Sequence, residues 1–226
     1  MSTLTLPTVM ACCHCGHLTV RHSSPDTVFG GSDLDTRPCS HPPPEPVYRC
    51  LQCGYCAYDL SDSLPGIADV LASAEYQAAL TNDVYPESSQ NYFCAALLHE
   101  HANQLVEAGW LYVSLAWVSD DANAFDRAQT SRLQAVTCFE KAIASAQTLS
   151  QIPGADALFL SDLLRRASSF ARALVYCDLG LAVVEDKTIR SLLHYEKTLI
   201  GTHDSRCHTR VISQVSCSPV SMSLPT

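Results

Sequence analysis

The sequence predicts a mainly α-helical protein: a small metal-stapled β module over residues 1–62, then an α-helical array over 63–204. Three observations predict it. Cys12-Cys13-His14-Cys15-Gly16 and Cys50-Leu51-Gln52-Cys53-Gly54 repeat one Cys-x-x-Cys-Gly unit. The chain around them is rich in Cys, Pro and Gly and has no long periodic pattern. From Ile67 onward Ala, Leu and other helix formers dominate, and Pro and Gly become punctuation.

In the first unit, short β-like runs at 17–22 and 47–51 flank a stretch from Pro38 to Pro46. Its Pro-Pro-Pro run lacks backbone donors and can be neither helix nor central strand. A core this small needs a staple. Two sulfurs three residues apart at a tight turn can share one metal, and the following Gly permits the positive φ of that turn. Two such knuckles complete a tetrahedral Cys₄ site of zinc-ribbon type, with Zn–S distances of about 2.3 Å. The expected ligands of Zn²⁺ are therefore Cys12, Cys15, Cys50 and Cys53. Four thiolates leave no open position for water, so the expected role is structural. A redox Cys-x-x-Cys would need a βαβ context that the pattern lacks. Cys13, Cys39 and Cys56 read as bystanders, and His14 and His17 as neighbours close enough to substitute.

Seven of the 12 cysteines lie in the first 56 residues. In a reducing compartment, clustered cysteines point to metal or redox chemistry. The first ten residues lack a basic, apolar leader, and no apolar run reaches the roughly 18 residues of a membrane helix. The expected location is cytoplasmic, with no membrane association.

Helices are expected at about 67–80, 88–103, 105–120, 124–149, 155–168, 170–183 and 187–201. Ser88 or Ser89 can cap the second after Pro86, Asp121-Ala-Asn123 marks a turn, and Pro153-Gly154 separates two helices. In the fourth, Leu133, Val136, Phe139, Ala142, Ile143 and Ala146 form an apolar stripe, read as core. Trp110 and Trp117 share a helix face, also read as core. Two segments, one from Trp110 and one from Leu163, loosely match the tetratricopeptide pattern, in which large residues of one helix interlock with small ones of the next. Residues 205–226 read as a disordered tail.

Three polar groups stand out. Asp33 and Asp35 are spaced to point the same way on a strand, and Asp35 with Arg37 forms the expected brace of the ribbon. Asp162, Arg165 and Arg166 share a helix, either as an i,i+4 pair of Asp162 with Arg166 or as a contact between repeats or to a partner. His203, Cys207 and His208 suggest a weak metal clip. His99-Glu-His101-Ala-Asn103 lacks the second histidine of a zinc-protease helix, and no phosphate-binding loop or nucleophile elbow occurs.

These residues carry a resemblance to an uncharacterised bacterial family, domain-of-unknown-function family 2225. It rests on Cys12-x-x-Cys15-Gly16, on Ser32-Asp-Leu-Asp-Thr-Arg-Pro38 with Tyr48-Arg-Cys-Leu-Gln-Cys-Gly-Tyr55, and on helical stretches: Ala116-Trp-Val-Ser-Asp-Asp121, Arg132, Ala135, Asp162-Leu-Leu-Arg-Arg166 and Tyr195-Glu-Lys197. The resemblance implies a zinc-ribbon-like segment joined to tetratricopeptide-like helices, and no activity. Both knuckles lack the family's usual proline, and Cys56 stands where a small residue is usual.

Net charge is −9, from 14 basic and 23 acidic side chains. Nucleic-acid affinity comes mainly from clustered Lys and Arg, so DNA or RNA binding is disfavoured. The expected function is a non-enzymatic scaffold or adaptor with an unidentified protein or peptide partner, since stacked helix pairs form concave surfaces. The alternatives are a nucleic-acid-associated regulator and a thiol- or metal-responsive sensor using Cys13, Cys39 or Cys56.

Overall fold

A computed structural model describes residues 8–21, 31–38, 43–81, 87–147 and 149–210. It is mainly α with a small β module at the N-terminus. Strands β1 (Thr8–Ala11) and β2 (Leu18–Arg21) pair antiparallel, with Val9 opposite Val20 and Ala11 opposite Leu18. Strands β3 (Tyr48–Arg49) and β4 (Cys56–Ala57) form a second, shorter hairpin. Each hairpin carries one Cys-x-x-Cys in its turn.

Eight helices follow among the described residues: α1 (Ile67–Ala72), α2 (Ala74–Leu80), α3 (Glu87–His101), α4 (Leu105–Asp121), α5 (Phe125–Ala144), α6 (Ala155–Arg166), α7 (Phe170–Val183) and α8 (Lys187–Gly201). The single helix expected at 67–80 is two. Ser73 turns extended at their junction, and its hydroxyl accepts from the Tyr76 amide to cap α2. Ser88 and Ser89 fall inside α3 rather than at its cap. Helix α5 stops at Ala144, five residues before the expected end.

The stripe expected on α5 is rotated. Val136, Phe139 and Ala142 are buried, but Leu133, Ile143 and Ala146 face out, and Ala128, Arg132 and Ala135 complete the inner face. Phe139 lies over Gly109 of α4, where any Cβ would meet its ring at 2.4 Å. Its ring centroid is 5.7 Å from Trp110 and 5.5 Å from Phe159, so α4, α5 and α6 meet at one aromatic cluster.

The β module shares the helices' core. Met10, Leu34, Tyr55 and Leu60 belong to the same buried cluster as Tyr76, Leu98, Leu115 and Leu193. Tyr76 Oη donates to Gly54 O at 2.9 Å, Asn91 Nδ2 to Val47 O at 3.1 Å and Tyr92 Oη to Glu45 O at 2.7 Å. The boundary expected at 62/63 is thus a change in chain character and not a gap in packing.

The expected tail starts too early. Residues 205–210 run back along residues 32–34: Leu34 N donates to His208 O at 2.9 Å and Arg210 N to Ser32 O at 2.8 Å. Backbone pairing and the Asp33 carboxylate fix this strap, signals that local composition does not carry. Residues 211–226 lie outside the described residues. No described helix is long and apolar enough to cross a membrane.

Candidate metal centre

The two knuckles are built alike. In the first, Gly16 N donates to Cys12 O at 2.8 Å and Cys12 N to His17 O at 2.9 Å; in the second, Gly54 N donates to Cys50 O and Cys50 N to Tyr55 O, both at 2.8 Å. Gly16 and Gly54 take φ of 74° and 80°, the left-handed conformation such a turn requires. The turns aim both sulfurs of each pair at the other knuckle.

Cys12 Sγ lies 3.6 Å from Cys53 Sγ, and Cys15 Sγ lies 3.5 Å from Cys50 Sγ. All four sulfurs fall within 4.8 Å of one another. A tetrahedron with metal–sulfur bonds of about 2.3 Å has edges of about 3.8 Å, so the group fits one thiolate-bound metal. Burial, and then the neighbouring sulfurs, hold the Cys53 thiol above its ordinary range. A cation shared by the four reverses that, because it stabilises thiolates.

The two knuckles are supported differently. The second rests on helix α2, through Tyr76 and through Leu80, which a Cβ at Gly54 would meet at 2.7 Å. The first is held by Cys13 N donating to Leu60 O at 2.8 Å and by buried Met10. Tyr55 Oη and Cys13 Sγ both donate to Asp62 O, at 2.7 and 3.1 Å, tying the loop after β4 to both.

Cys13 and Cys56 stand outside the sulfur cluster, as do His14 and His17. Cys56 is fully buried, with its thiol on Gly54 O at 3.4 Å. Cys39 lies outside the described residues. The residues of the expected tail clip go elsewhere: His203 meets Phe170 edge to face, Cys207 donates to Asp33 and His208 meets Asp204.

The polar residues singled out from the sequence form a second centre, a buried ion-pair network. Asp33 and Asp35 do not share a strand face. They sit in a turn where Thr36 N donates to Asp33 O and Thr36 has φ of 73°. Asp33 accepts from Cys207 Sγ at 3.0 Å and Thr209 Oγ1 at 3.1 Å, holding the strap. Asp35 accepts from Trp117 Nε1 at 2.9 Å and from Arg166 Nη1. Arg37 N donates to Asp35 Oδ1 at 3.3 Å, while the Arg37 guanidinium grips Asp121 through two bonds of 3.0 and 2.7 Å. The expected Asp35–Arg37 pair is made through the backbone amide, and the guanidinium adds a brace from the loop to helix α4.

Asp162, Arg165 and Arg166 are buried, which removes them as a free partner surface. Asp162 pairs with Arg165 at i,i+3, 2.5 Å, instead of with Arg166. Arg165, 0% exposed, also donates through Nε to Glu196 Oε1 at 2.7 Å and through Nη1 to the carbonyls of Asp204 and Arg206. Arg166 Nη2 meets Asp120 at 2.5 Å, and Asp120 also holds Arg132. Asp120, Arg132 and Glu196 carry no local sequence signal for this role, although all three stand in the stretches that carry the family resemblance.

Comparison with family models, curated proteins and solved structures returned no match.

Proposed function

We propose that this chain is a zinc-binding protein-interaction scaffold or adaptor without catalytic activity, akin to family 2225 in plan. The observation that carries the reading is the closed set of four converging cysteine sulfurs. Tetrahedral sulfur sites suit zinc or iron, and zinc is the common structural choice because it brings no redox chemistry of its own. Four protein ligands leave no place for a substrate. When bound, the metal would lock the first knuckle, held by Leu60 O and Asp62 O, onto the second, docked on α2.

The scaffold part is supported by helix α7. Its outer face exposes Val175, Leu179 and Val183 at 56%, 57% and 58%. Contiguous exposed apolar surface marks a place for a partner. Beside this face Arg172 is paired with Glu140 and Lys197 with Asp178 within the chain, which leaves the apolar stripe suited to an apolar protein or peptide segment.

Elemental mass spectrometry of purified protein tests the metal. One zinc per chain is expected, lost in a Cys50→Ser/Cys53→Ser variant together with folded N-terminal structure; metal-free protein purified without chelator counts against the reading. For the scaffold, cross-linking in lysate is compared between wild type and Val175→Glu/Leu179→Glu. Partners held by wild type and lost in the variant support it, and an unchanged set removes α7 as the contact.

A further inference from the structure

Three cysteines among the described residues are exposed: Cys13, Cys15 and Cys207. Two have their thiol hydrogens committed, Cys13 to Asp62 O at 3.1 Å and Cys207 to Asp33 Oδ2 at 3.0 Å. Burial and the Asp33 contact push the Cys207 thiol up to about 12. The thiolate, not the thiol, is the nucleophile, and the Asp33 contact holds Cys207 toward the thiol.

Cys15 differs. A metal held by the four sulfurs would keep Cys15 as a thiolate, and Cys15 is the one of the four on the solvent side. Cys12 and Cys50 are 2% and 0% exposed, and Cys53 is half-buried. Cys15 also has a second ligand sulfur in reach, Cys50 Sγ at 3.5 Å. An accessible thiolate beside a shielded one is the arrangement of a peroxide-reactive cysteine and its resolving partner.

We propose that Cys15 is a modification site, the ligand at which a peroxide oxidises the metal centre, with Cys50 resolving it. The inference rests on the metal reading above. The Cys15 thiolate attacks a peroxide oxygen: an S–O bond forms, the O–O bond breaks and hydroxide leaves, giving a sulfenic acid. The Cys50 thiolate then attacks the Cys15 sulfur: an S–S bond forms, the S–O bond breaks and a second hydroxide leaves. Two thiolates thus give two electrons to one hydrogen peroxide, yielding one disulfide and two hydroxides. Only Cys12 and Cys53 then remain as ligands, and the metal is lost. The new bond still joins the knuckles, so the hairpin stays attached while the metal leaves.

The test uses metal-loaded full-length protein titrated with hydrogen peroxide. Release is followed with the chromophoric chelator 4-(2-pyridylazo)resorcinol, and disulfides are mapped by mass spectrometry, which reads each cysteine separately. Expected are one metal released as two thiols disappear, with Cys15–Cys50 the first disulfide. A Cys15→His variant keeps a fourth ligand and removes the oxidisable one; its release slows by about tenfold or more. A first disulfide between Cys12 and Cys53, or release without any disulfide at Cys15, overturns the inference in wild type alone. A Cys15→His variant that retains metal and releases it at the wild-type rate does the same. Protein that purifies without metal overturns the metal reading itself, and this inference with it.

Discussion

At the residue scale, identical motifs have different neighbours. Gly16 and Gly54 both need positive φ, but a Cβ at Gly16 meets open space and one at Gly54 meets Leu80. Gly16→Ala therefore carries only the backbone strain, about 1 kcal/mol. Gly54→Ala adds the displacement of a buried leucine and should destabilise more; denaturant unfolding of the two variants side by side gives the order. The buried acids are another case. Burial and the charge of Asp162 push Glu196 up to about 8, against the pull of Arg165. One guanidinium faces two carboxylates, and Glu196 Oε2 and Asp162 Oδ2 have no hydrogen-bond partner, so the pair keeps a proton near neutrality. Because the folded pKa lies above the unfolded one, the contribution is fully present below about pH 4.5 and is lost as pH rises through about 8. Wild-type stability relative to Glu196→Gln should fall between pH 5 and pH 9, and a constant difference measured by chemical denaturation would refute the assignment.

At the element scale, five helices end the same way. Asn103, Asn123, Ala146, Ser168 and His203 take φ between 54° and 58°. After each, the next amide reaches back to the last turn, as in Gln104 N to His99 O, Ala124 N to Ser119 O and Gln147 N to Ala142 O, all 2.8–2.9 Å. These are Schellman-type caps, usually built on Gly and sometimes on Asn. The two asparagines are readable signals, and the turn expected at Asp121–Asn123 is one of them. Ala146 carries no such signal, so the sequence pattern predicts helix on to 149 where α5 ends at Ala144. Ala146 is exposed and pays the left-handed strain without a compensating contact, so Ala146→Gly should stabilise by about 0.5–1 kcal/mol, seen as a raised denaturation midpoint.

For the whole molecule, the ion-pair network joins distant parts of the chain. Asp35 reaches Trp117 and Arg166, Arg37 reaches Asp121, and Asp33 reaches residues 207–209. The loop between the knuckles, the ends of α4 and α6, helix α8 and the strap thus close on one buried centre. Removing one partner of such a pair typically costs 3–5 kcal/mol, because the other charge stays buried. This explains why so many charged residues cluster at 33–37, 120–121, 162–166 and 196 without forming a surface.

The sequence by itself determined the local features. The four-cysteine cluster was legible because a Cys-x-x-Cys-Gly knuckle is a short-range device: two sulfurs, one turn and one glycine within five residues. The helices were legible because their period and punctuation are local, as at Pro153-Gly154 before α6. Only the tertiary structure decided which face of α5 is inside, since Leu133 and Val136 are equally apolar and the choice depends on where α4 and α6 lie. It alone decided the partners of Asp35, Arg37 and Arg165, because a guanidinium finds its carboxylate through space, here as far apart as 131 residues for Asp35 and Arg166. It also decided that Cys15, of the four clustered cysteines, faces solvent, for exposure depends on what packs over a side chain and not on the motif that contains it.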